Sequence, residues 1–377
     1  MAERCKEEYR GKRRELDDSN RRDVVGGEKT TERLMFQADP EQRPIPVPKD
    51  DEVLIEIDCV GICGSDIHMV AHGPTGDCPP VILGHEASGT VACVGRCVTK
   101  LKRGDRVAIE PAVPCRMCQF CSLGCYDLCC TMTLYGCGPK PGSLARYYAH
   151  PADYCHLLPD HLTMEEGAMI EPLAIAVHAN RRAGVTCGSK VLICGAGTMG
   201  LLCLLAAKAM GACQVVVIDH IEHRLNVARC IGADFTVLVA EGCHCDKNIA
   251  NTIHCLLHCE PPIAIECWGT EMGARIAILA TRAGGCVVFV GMSSPCVRIP
   301  LTEACCKEID LRGISRYAND FACALAYVCA RQINVAQLIT HRFTLEQTHV
   351  AFQTARDGCG NPIKVMIYCK RNWCCCT

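Results

Sequence analysis

The chain has 377 residues, and its 39 Lys and Arg against 41 Asp and Glu give a formal net charge of -2 at pH 7. A charge this close to zero argues against nucleic acid or an anionic membrane as the main partner. No apolar run reaches the roughly 18 residues that a membrane span needs. The length predicts two domains. Because the first residues carry no apolar leader, the default expectation is a cytoplasmic protein.

The cysteine content is unusual for such a chain. There are 35 cysteines, an odd number that excludes complete internal pairing. A long chain without a leader favours reduced thiols, which pack as small apolar groups. The run Cys374 to Cys376 is a candidate for metal binding or oxidation, and the alternative is a loose tail.

Residues 1–33 are dominated by charged side chains and contain few large apolar ones. Such a segment buries too little surface to offset the entropy of ordering. We therefore expect a charged N-terminal arm that is disordered or forms a solvated helix. A basic docking arm is the alternative, which the near balance of acids and bases disfavours.

Short apolar runs predict strands over residues 53–57, 90–94 and 106–109, and the Gly and Pro between them indicate an irregular β-rich domain. Within it, residues 63–86 offer one thiolate, one imidazole and one carboxylate. A catalytic zinc keeps three protein ligands and an open position. We predict that Cys63, His85 and Glu86 bind this zinc. Ser65 and His68 follow the cysteine closely and are candidates to carry a proton away from a zinc-bound alcohol.

A second metal signal follows at Cys115, Cys118, Cys121 and Cys129. Two Cys-x-x-Cys steps and a fourth thiolate are typical of a closed tetrahedral zinc site, whose role is structural. Cys125 and Cys130 lie close by as competing ligands. Chance clustering in a cysteine-rich chain is the alternative.

A dinucleotide-binding pattern occupies the middle of the chain. An apolar strand over residues 190–194 leads into the turn Gly195-Ala-Gly197-Thr-Met-Gly200, a helix over 201–210 and a strand over 214–218 that ends in Asp219. The glycines permit a tight turn, approach of the backbone to the pyrophosphate and close helix packing. Asp219 is placed to bind ribose hydroxyls and to repel a 2′-phosphate, which favours NAD over NADP.

Further apolar runs alternate with helical patterns. Strands are predicted over residues 235–238, 263–266 and 286–291, with helices over 224–230 and 248–257. This alternation predicts an α/β fold with a doubly wound parallel sheet that ends near Tyr317. The remaining residues are expected to return to the first domain.

From about residue 42 to residue 366 the chain resembles the zinc-containing medium-chain dehydrogenases, and within them the sorbitol dehydrogenase type, which are polyol dehydrogenases and ketose reductases. The resemblance rests on the segments Val60-Gly-Ile-Cys63-Gly-Ser-Asp, Leu83-Gly-His85-Glu86-Ala-Ser-Gly-Thr, Glu166-Gly-Ala-Met-Ile-Glu171-Pro-Leu and Ile314-Ser-Arg316-Tyr317. It implies a GroES-like catalytic domain over residues 34–178 and 318–370, and a Rossmann NAD-binding domain over residues 179–317. A homotetramer is also implied.

The resemblance also implies roles for individual residues. Glu171 matches a carboxylate that reaches the zinc-bound water or the zinc, and Arg316 and Tyr317 match polyol-contacting residues. Met69 stands at a substrate-side position where many relatives carry Tyr. The NAD-contacting positions are Gly195, Gly197, Met199, Gly200, Asp219, Arg224, Val290, Gly291, Met292, Ile314, Ser315 and Arg316.

The expected reaction is reversible hydride transfer from a sorbitol-like or xylitol-like polyol to NAD, which gives a ketose. Zinc polarises the alcohol oxygen and lowers its pKa, while NAD supplies the redox chemistry. The same chemistry on L-arabinitol, threonine or a simple secondary alcohol is an alternative. A non-catalytic, thiol-rich protein that binds metal or a dinucleotide is another.

Overall fold

A computed structural model describes residues 40–72, 81–137, 140–240 and 245–370, together with the short strand Val24–Val25. Apart from that strand, the expectations for the charged N-terminal arm lie outside the described residues, as do those for Cys374 to Cys376. In the described part of the chain no helix is long and apolar enough to cross a membrane.

Strands and helices alternate along the described chain. The strands are β1 Val24–Val25, β2 Pro40–Glu41, β3 Glu52–Gly61, β4 Glu86–Val94, β5 Arg106–Ile109, β6 Ala112–Val113, β7 Thr133–Leu134, β8 Tyr147–Pro151, β9 Cys155–Leu157, β10 Lys190–Cys194, β11 Gln214–Asp219, β12 Phe235–Leu238, β13 Ile263–Glu266, β14 Cys286–Phe289, β15 Asp310–Gly313, β16 Ile339–Thr344 and β17 Lys364–Tyr368.

The helices are α1 Gly64–His72, α2 Gln119–Ser122, α3 Met164–Ala168, α4 Ile170–Ala183, α5 Thr198–Ala209, α6 Glu222–Cys230, α7 Asp246–Leu257, α8 Glu271–Ala280, α9 Leu301–Cys306, α10 Phe321–Cys329 and α11 Thr348–Asp357. Single 3₁₀ turns lie at Tyr126–Leu128, Ala152–Tyr154, Ala336–Leu338 and Leu345–Gln347.

The middle of the chain forms a six-stranded sheet in the order β12-β11-β10-β13-β14-β15, in which every pair is parallel. Its central strands are continuous apolar runs, as expected for strands covered by helices on both faces. The chain order reverses between β10 and β13, and ligands of open α/β sheets bind in the crevice at such a point. The predicted doubly wound Rossmann-type sheet is confirmed.

A seven-stranded, mainly antiparallel sheet is built from both ends of the globular chain. Its order is β16-β17-β3-β4-β5-β9, and β8 pairs antiparallel with the first half of β3, over residues 52–56. β17 pairs antiparallel with β3, so the last strands join the sheet that the early ones form. The predicted irregular β-rich domain of GroES-like type is confirmed, whereas the residue limits of the two domains stay predictions.

One apolar core connects the two sheets. Leu173 and Val177 of α4 are fully buried and belong to a cluster that includes Ala108 of the antiparallel sheet and Ile193 of the parallel sheet. α4 ends at Gly184, which adopts a left-handed conformation that costs glycine little. A site between the sheets is therefore held by close packing on both sides.

Several predicted boundaries were wrong by a few residues. β4 begins at Glu86 rather than at residue 90, because Gly61 pairs with Glu86 and extends the ladder with β3. α5 begins at Thr198 rather than at residue 201, directly after the N-cap residue Gly197. β14 ends at Phe289 rather than at residue 291, where the backbone of Gly269 packs closely against Gly291.

Candidate active site and candidate metal centres

Three metal-ligating side chains converge where β3 ends and β4 begins. Cys63 Sγ, a ring nitrogen of His85 and a carboxylate oxygen of Glu86 all lie within 4.8 Å of one another. The chain brings them together because Gly61 and Glu86 are direct partners in the β3–β4 ladder. Gly61 is required here, since a Cβ at this position would clash with Glu86 Oε2. A thiol, an imidazole and a carboxylate fit zinc and leave a fourth position for a small ligand.

Asp66 orients two members of this set. Its buried carboxylate accepts a hydrogen bond from the backbone N–H of Cys63 at 3.0 Å and lies 3.4 Å from His85 Nδ1. A carboxylate at one ring nitrogen fixes the tautomer and leaves the other nitrogen for the metal. Asp66 therefore contributes to the centre by orienting Cys63 and His85. The sequence motif contained it, but its role was not predicted.

Lys364 is a buried cation beside the same centre. Its Nζ lies 2.5 Å from Glu86 Oε2 and donates to the carbonyl oxygen of Ile62 at 3.2 Å. Burial opposes its charge, yet the carboxylate of Glu86 and the neighbouring Cys63 raise the pKa of Lys364. Sequence reasoning missed this residue. The available signal was a lone lysine in the otherwise apolar strand β17.

Glu171 lies in the first turn of α4 and is buried. Burial raises its pKa to about 7, and the charge of His85 opposes this shift while that of Glu86 adds to it. The charges of two of the three candidate ligands, His85 and Glu86, thus influence Glu171. A carboxyl group that titrates near neutrality is suited to proton transfer.

Arg316 and Tyr317 follow β15, the last strand of the parallel sheet, whereas Glu171 lies on α4. Arg316 has a positive φ of 55°, and the electrostatic influence of its charge extends to Glu171. Tyr317 is 2% exposed, and within the described chain its hydroxyl has no hydrogen-bond partner. Buried hydroxyls are nearly always paired, so an orphaned one indicates a missing polar partner.

The predicted proton relay and substrate-side residues lie on α1. Ser65 and Met69 are half-buried, and His68 is exposed. Ser65 and His68 are three residues apart and therefore face the same side of the helix. Met69 packs against the apolar cluster beneath the antiparallel sheet. Their roles stay predictions.

The glycine turn has the close contacts that its motif predicts. Gly195 has a φ of 96°. A Cβ at Gly200 would overlap the carbonyl oxygen of Gly195, so the third glycine lets α5 pack against the turn. Gly197 precedes α5 with nothing within 4 Å of its Cβ position. The backbone N–H groups of a helix start can bind phosphate there.

Asp219 stabilises that turn directly. Its fully buried carboxylate accepts from the backbone N–H of Ala196 at 2.6 Å and from that of Ile221 at 2.9 Å. Its predicted contact with ribose stays a prediction. Arg224, the other predicted residue nearby, is half-buried on α6.

The remaining predicted NAD positions follow β14 and β15. Val290, Gly291 and Met292 form one group, of which Met292 is 89% exposed, and Ile314 and Ser315 form the other. Glu266 organises this edge, because its buried carboxylate accepts from the backbone N–H groups of Trp268 and Gly269. Met199 is half-buried near the start of α5.

Four thiols form the second candidate metal centre. The sulfur atoms of Cys115, Cys118, Cys121 and Cys129 all lie within 4.8 Å of one another. The backbone N–H of Cys118 donates to Cys115 Sγ at 3.3 Å. Hydrogen bonds from the backbone of Met117 and Cys118 lower the pKa of Cys115 to about 6, which favours the thiolate that binds zinc. Four thiolates fit a closed zinc site.

Two family patterns match the chain. The pattern of the alcohol dehydrogenase GroES-like domain matches residues 49–160, and that of the zinc-binding dehydrogenases matches residues 198–329. Sorbitol dehydrogenase of Bos taurus is 47% identical over 335 residues, which are 88% of this chain and 93% of that protein. Sorbitol dehydrogenase of Mus musculus is 47% identical over 337 residues, with the same coverage.

A solved structure agrees with these matches. L-idonate 5-dehydrogenase of Escherichia coli superimposes with a TM-score of 0.82 at 28% identity, covering 92% of this chain and 97% of that one. The chain belongs to the zinc-binding alcohol dehydrogenase family. The resemblance predicted from the motifs is confirmed.

Sequence reasoning missed two further side chains at the candidate sites of this chain, Cys137 and His220. Cys137 Sγ lies 3.4 Å from His85 Nδ1, on the ring edge that also faces Asp66. At the glycine turn, the ring of His220 stacks on that of Trp268 at 5.4 Å and 25°. The sequence offered no signal for either contact, since both join residues far apart in the chain.

Proposed function

We propose that the chain is a zinc-dependent dehydrogenase that transfers a hydride from a sorbitol-like or xylitol-like polyol to NAD, reversibly, to give a ketose. The observation that carries the proposal is the buried hydroxyl of Tyr317, which has no hydrogen-bond partner in the described chain and which follows Arg316, a residue whose charge influences Glu171 together with those of His85 and Glu86. A polyhydroxylated substrate would supply the partner that this hydroxyl lacks. Identity of 47% to two sorbitol dehydrogenases supports the same substrate class.

Cys63, His85 and Glu86 would hold the zinc, with Asp66 and Lys364 orienting two of these ligands. Bound zinc would supply a positive charge at the reacting oxygen, and NAD would accept the hydride.

The other side chains bind the substrate and move its proton. Arg316 and Tyr317 would donate hydrogen bonds to polyol hydroxyls and so hold the reacting carbon in position. Ser65 and His68 would carry the hydroxyl proton towards solvent, since they share a face of α1 and His68 is exposed. Burial raises the pKa of Glu171 to about 7 in the zinc-free protein, and a bound zinc ion would lower it, so Glu171 would serve there as a carboxylate that accepts a hydrogen bond from the substrate.

The cofactor would bind across the glycine turn. Gly197 leaves open space for the pyrophosphate at the start of α5, and the close contact between Gly195 and Gly200 shapes the turn. The negative charge of Asp219 favours NAD, because a 2′-phosphate at that strand end would be repelled.

The test is a panel of sorbitol, xylitol, L-arabinitol, threonine and 2-butanol, each with NAD and with NADP, with and without a zinc chelator. We expect the highest kcat/KM for sorbitol or xylitol with NAD, and loss of turnover after chelation. Arg316→Ala should raise the KM for the polyol about tenfold or more and leave that for 2-butanol nearly unchanged.

Arg103→Ala is the matched control, since Arg103 is exposed in the turn before β5. Preference for 2-butanol or threonine would contradict the polyol assignment and retain the zinc chemistry. No turnover with any alcohol, combined with many weakly held metal ions, would favour the non-catalytic alternative.

A homotetramer and a cytoplasmic location belong to the same proposal. The homotetramer rests on the resemblance to the sorbitol dehydrogenase type, and the location is consistent with the free thiols of the described residues. Sedimentation of the purified protein tests the first, and fractionation of cells tests the second.

A further inference from the structure

The four-cysteine lobe, residues 115–129, contacts the segment that contains Arg316 and Tyr317. We define residues 314–320 as the polyol segment. The backbone N–H of Asn319 donates to the hydroxyl of Tyr126 at 2.8 Å, and Asn319 Nδ2 donates to the carbonyl oxygen of Gly124 at 2.8 Å. Both lobe residues lie between the candidate ligands Cys121 and Cys129.

A second connection runs from the same tyrosine. Tyr126 donates to Glu110 Oε1 at 3.1 Å, and Glu110 Oε2 lies 2.8 Å from His156 Nε2. The ring of His156 stacks on Phe321 at 4.5 Å, and Phe321 lies 6.1 Å from the ring of Tyr317. The polyol segment is thus held at Asn319 by hydrogen bonds and at Tyr317 through ring contacts, and both connections lead back to Tyr126 and Glu110.

The polyol segment needs such support. Arg316 and Asn319 have φ values of 55° and 64°, which side chains other than glycine adopt at a cost. Strained backbone persists where its surroundings fix it. Burial raises the pKa of Tyr126, so its hydroxyl keeps the proton that it donates to Glu110. This hydroxyl donates its hydrogen to Glu110 Oε1 and accepts a hydrogen bond from the backbone N–H of Asn319.

We propose that the four-cysteine lobe positions the polyol segment, with Tyr126 as the positioning residue, so that the closed metal centre sets the affinity for the polyol. A metal that ties Cys121 to Cys129 restrains the stretch that carries Gly124 and Tyr126. The inference rests on the proposed role of Arg316 and Tyr317 as polyol ligands. Tyr126 itself touches neither substrate nor cofactor.

A lobe that only stabilises the fold would behave differently. A further anchor is Arg116, which forms an ion pair with Asp153 at 3.1 Å and lies over the ring of Tyr154 at 5.1 Å. Neither of these contacts involves the polyol segment. Arg116→Ala therefore loosens the lobe without breaking the connection through Tyr126, and it serves as the matched control.

The experiment compares Tyr126→Phe with Arg116→Ala in the zinc-loaded protein. For Tyr126→Phe we expect the KM for sorbitol to rise about tenfold, with the KM for NAD unchanged and the zinc content equal to that of the parent. Amide hydrogen exchange of residues 314–320 should accelerate in Tyr126→Phe and not in Arg116→Ala. Asn319→Gly tolerates the positive φ and removes the bond to Gly124, so it should shift the KM in the same direction.

Unchanged exchange and KM in Tyr126→Phe, or equal changes in both variants, would overturn the inference. Arg316→Ala separates this outcome from failure of the proposed function. If Arg316→Ala leaves the KM for sorbitol unchanged, the polyol assignment fails, and hydrogen exchange in Tyr126→Phe alone decides whether the lobe positions the segment.

Discussion

The two candidate metal centres are assembled in opposite ways. The open centre takes Cys63 from the end of β3 and His85 and Glu86 from the start of β4, and Lys364 contacts it from a position 278 residues further along the chain. The closed centre takes all four thiols from residues 115–129. Catalytic geometry therefore depends on long-range packing, whereas the closed geometry is encoded in one loop.

The groups that surround the two centres also differ, in that distant residues surround the open centre and local backbone surrounds the closed one. Around the open centre lie buried charged groups, namely Asp66, Glu171 and Lys364. Around the closed centre, backbone N–H groups donate to the sulfur atoms of Cys115 and Cys129. Buried charges tune the chemistry of a ligand but depend on their partners, while backbone amides favour the thiolate forms of these two cysteines within the loop itself. Four substitutions test this contrast, in order of decreasing effect.

The largest effect is expected at the open centre. Cys63→Ser should lower turnover of sorbitol about 1000-fold, equal to ~4 kcal/mol of barrier, because one of three metal ligands is replaced. The unfolding free energy of the zinc-free protein should change by less than ~1 kcal/mol. Cys97→Ser, at an exposed thiol, is the control. Undiminished turnover in Cys63→Ser would refute the metal role.

At the closed centre the effect should fall on stability. Cys121→Ser should lower the free energy of unfolding of the zinc-loaded protein by ~2–4 kcal/mol and the zinc content from about two ions to about one per chain. Denaturant titration and metal analysis measure the two quantities. Cys125→Ser, at an exposed neighbouring thiol, should change neither, and a loss of zinc there would make Cys125 a ligand instead.

Lys364 tests whether long-range packing tunes the open centre. Lys364→Met should weaken zinc binding at that centre about 10- to 100-fold, because Glu86 loses the partner that orients it. Chelator competition measures the affinity, and zinc at the closed centre should be unaffected. Lys370→Met, at a half-exposed lysine paired with Asp58, is the control. Tighter zinc binding in Lys364→Met would mean that the lysine competes with the metal for Glu86.

The smallest effect, counted per pH unit, concerns the pH dependence of stability. Burial raises the pKa of Glu171 to about 7 from an ordinary value of 4.5, so the folded zinc-free protein binds its proton more tightly than the unfolded chain. Its unfolding free energy should therefore fall as pH rises between about 4.5 and 7, by at most ~1 kcal/mol per pH unit, and level off above. Glu171→Gln should lose the share of this fall that Glu171 contributes, whereas the share of Glu266, whose pKa burial also raises to about 7, should remain. Denaturant titrations across that range measure the difference, and parallel profiles for both proteins would exclude the effect.

Prediction from the sequence worked best where the pattern is local. The strands over residues 106–109 and 190–194 and the parallel sheet follow from runs of apolar residues between turn-forming ones. The four-cysteine spacing also places its sulfur atoms within one loop. The predicted start of β4 was wrong, because pairing with β3 extends the strand back to Glu86, beyond its apolar run.

Contacts between distant segments could not be predicted from the sequence. Lys364 beside Glu86, Cys137 beside His85 and Tyr126 beside Asn319 each join residues from separate elements. Residue types and spacing predicted which groups bind metal, but they carry no information on which buried charge faces them.

The sequence by itself determined the fold class and the glycine turn, and it singled out the two sets of side chains that converge as candidate metal ligands, because strand periodicity and short ligand spacing are properties of neighbouring residues. Tertiary structure alone decided which side chains surround those ligands, and that Tyr317 keeps a buried hydroxyl without a partner in the described chain. The physical reason is that burial and the pairing of charges arise only when distant elements pack against one another.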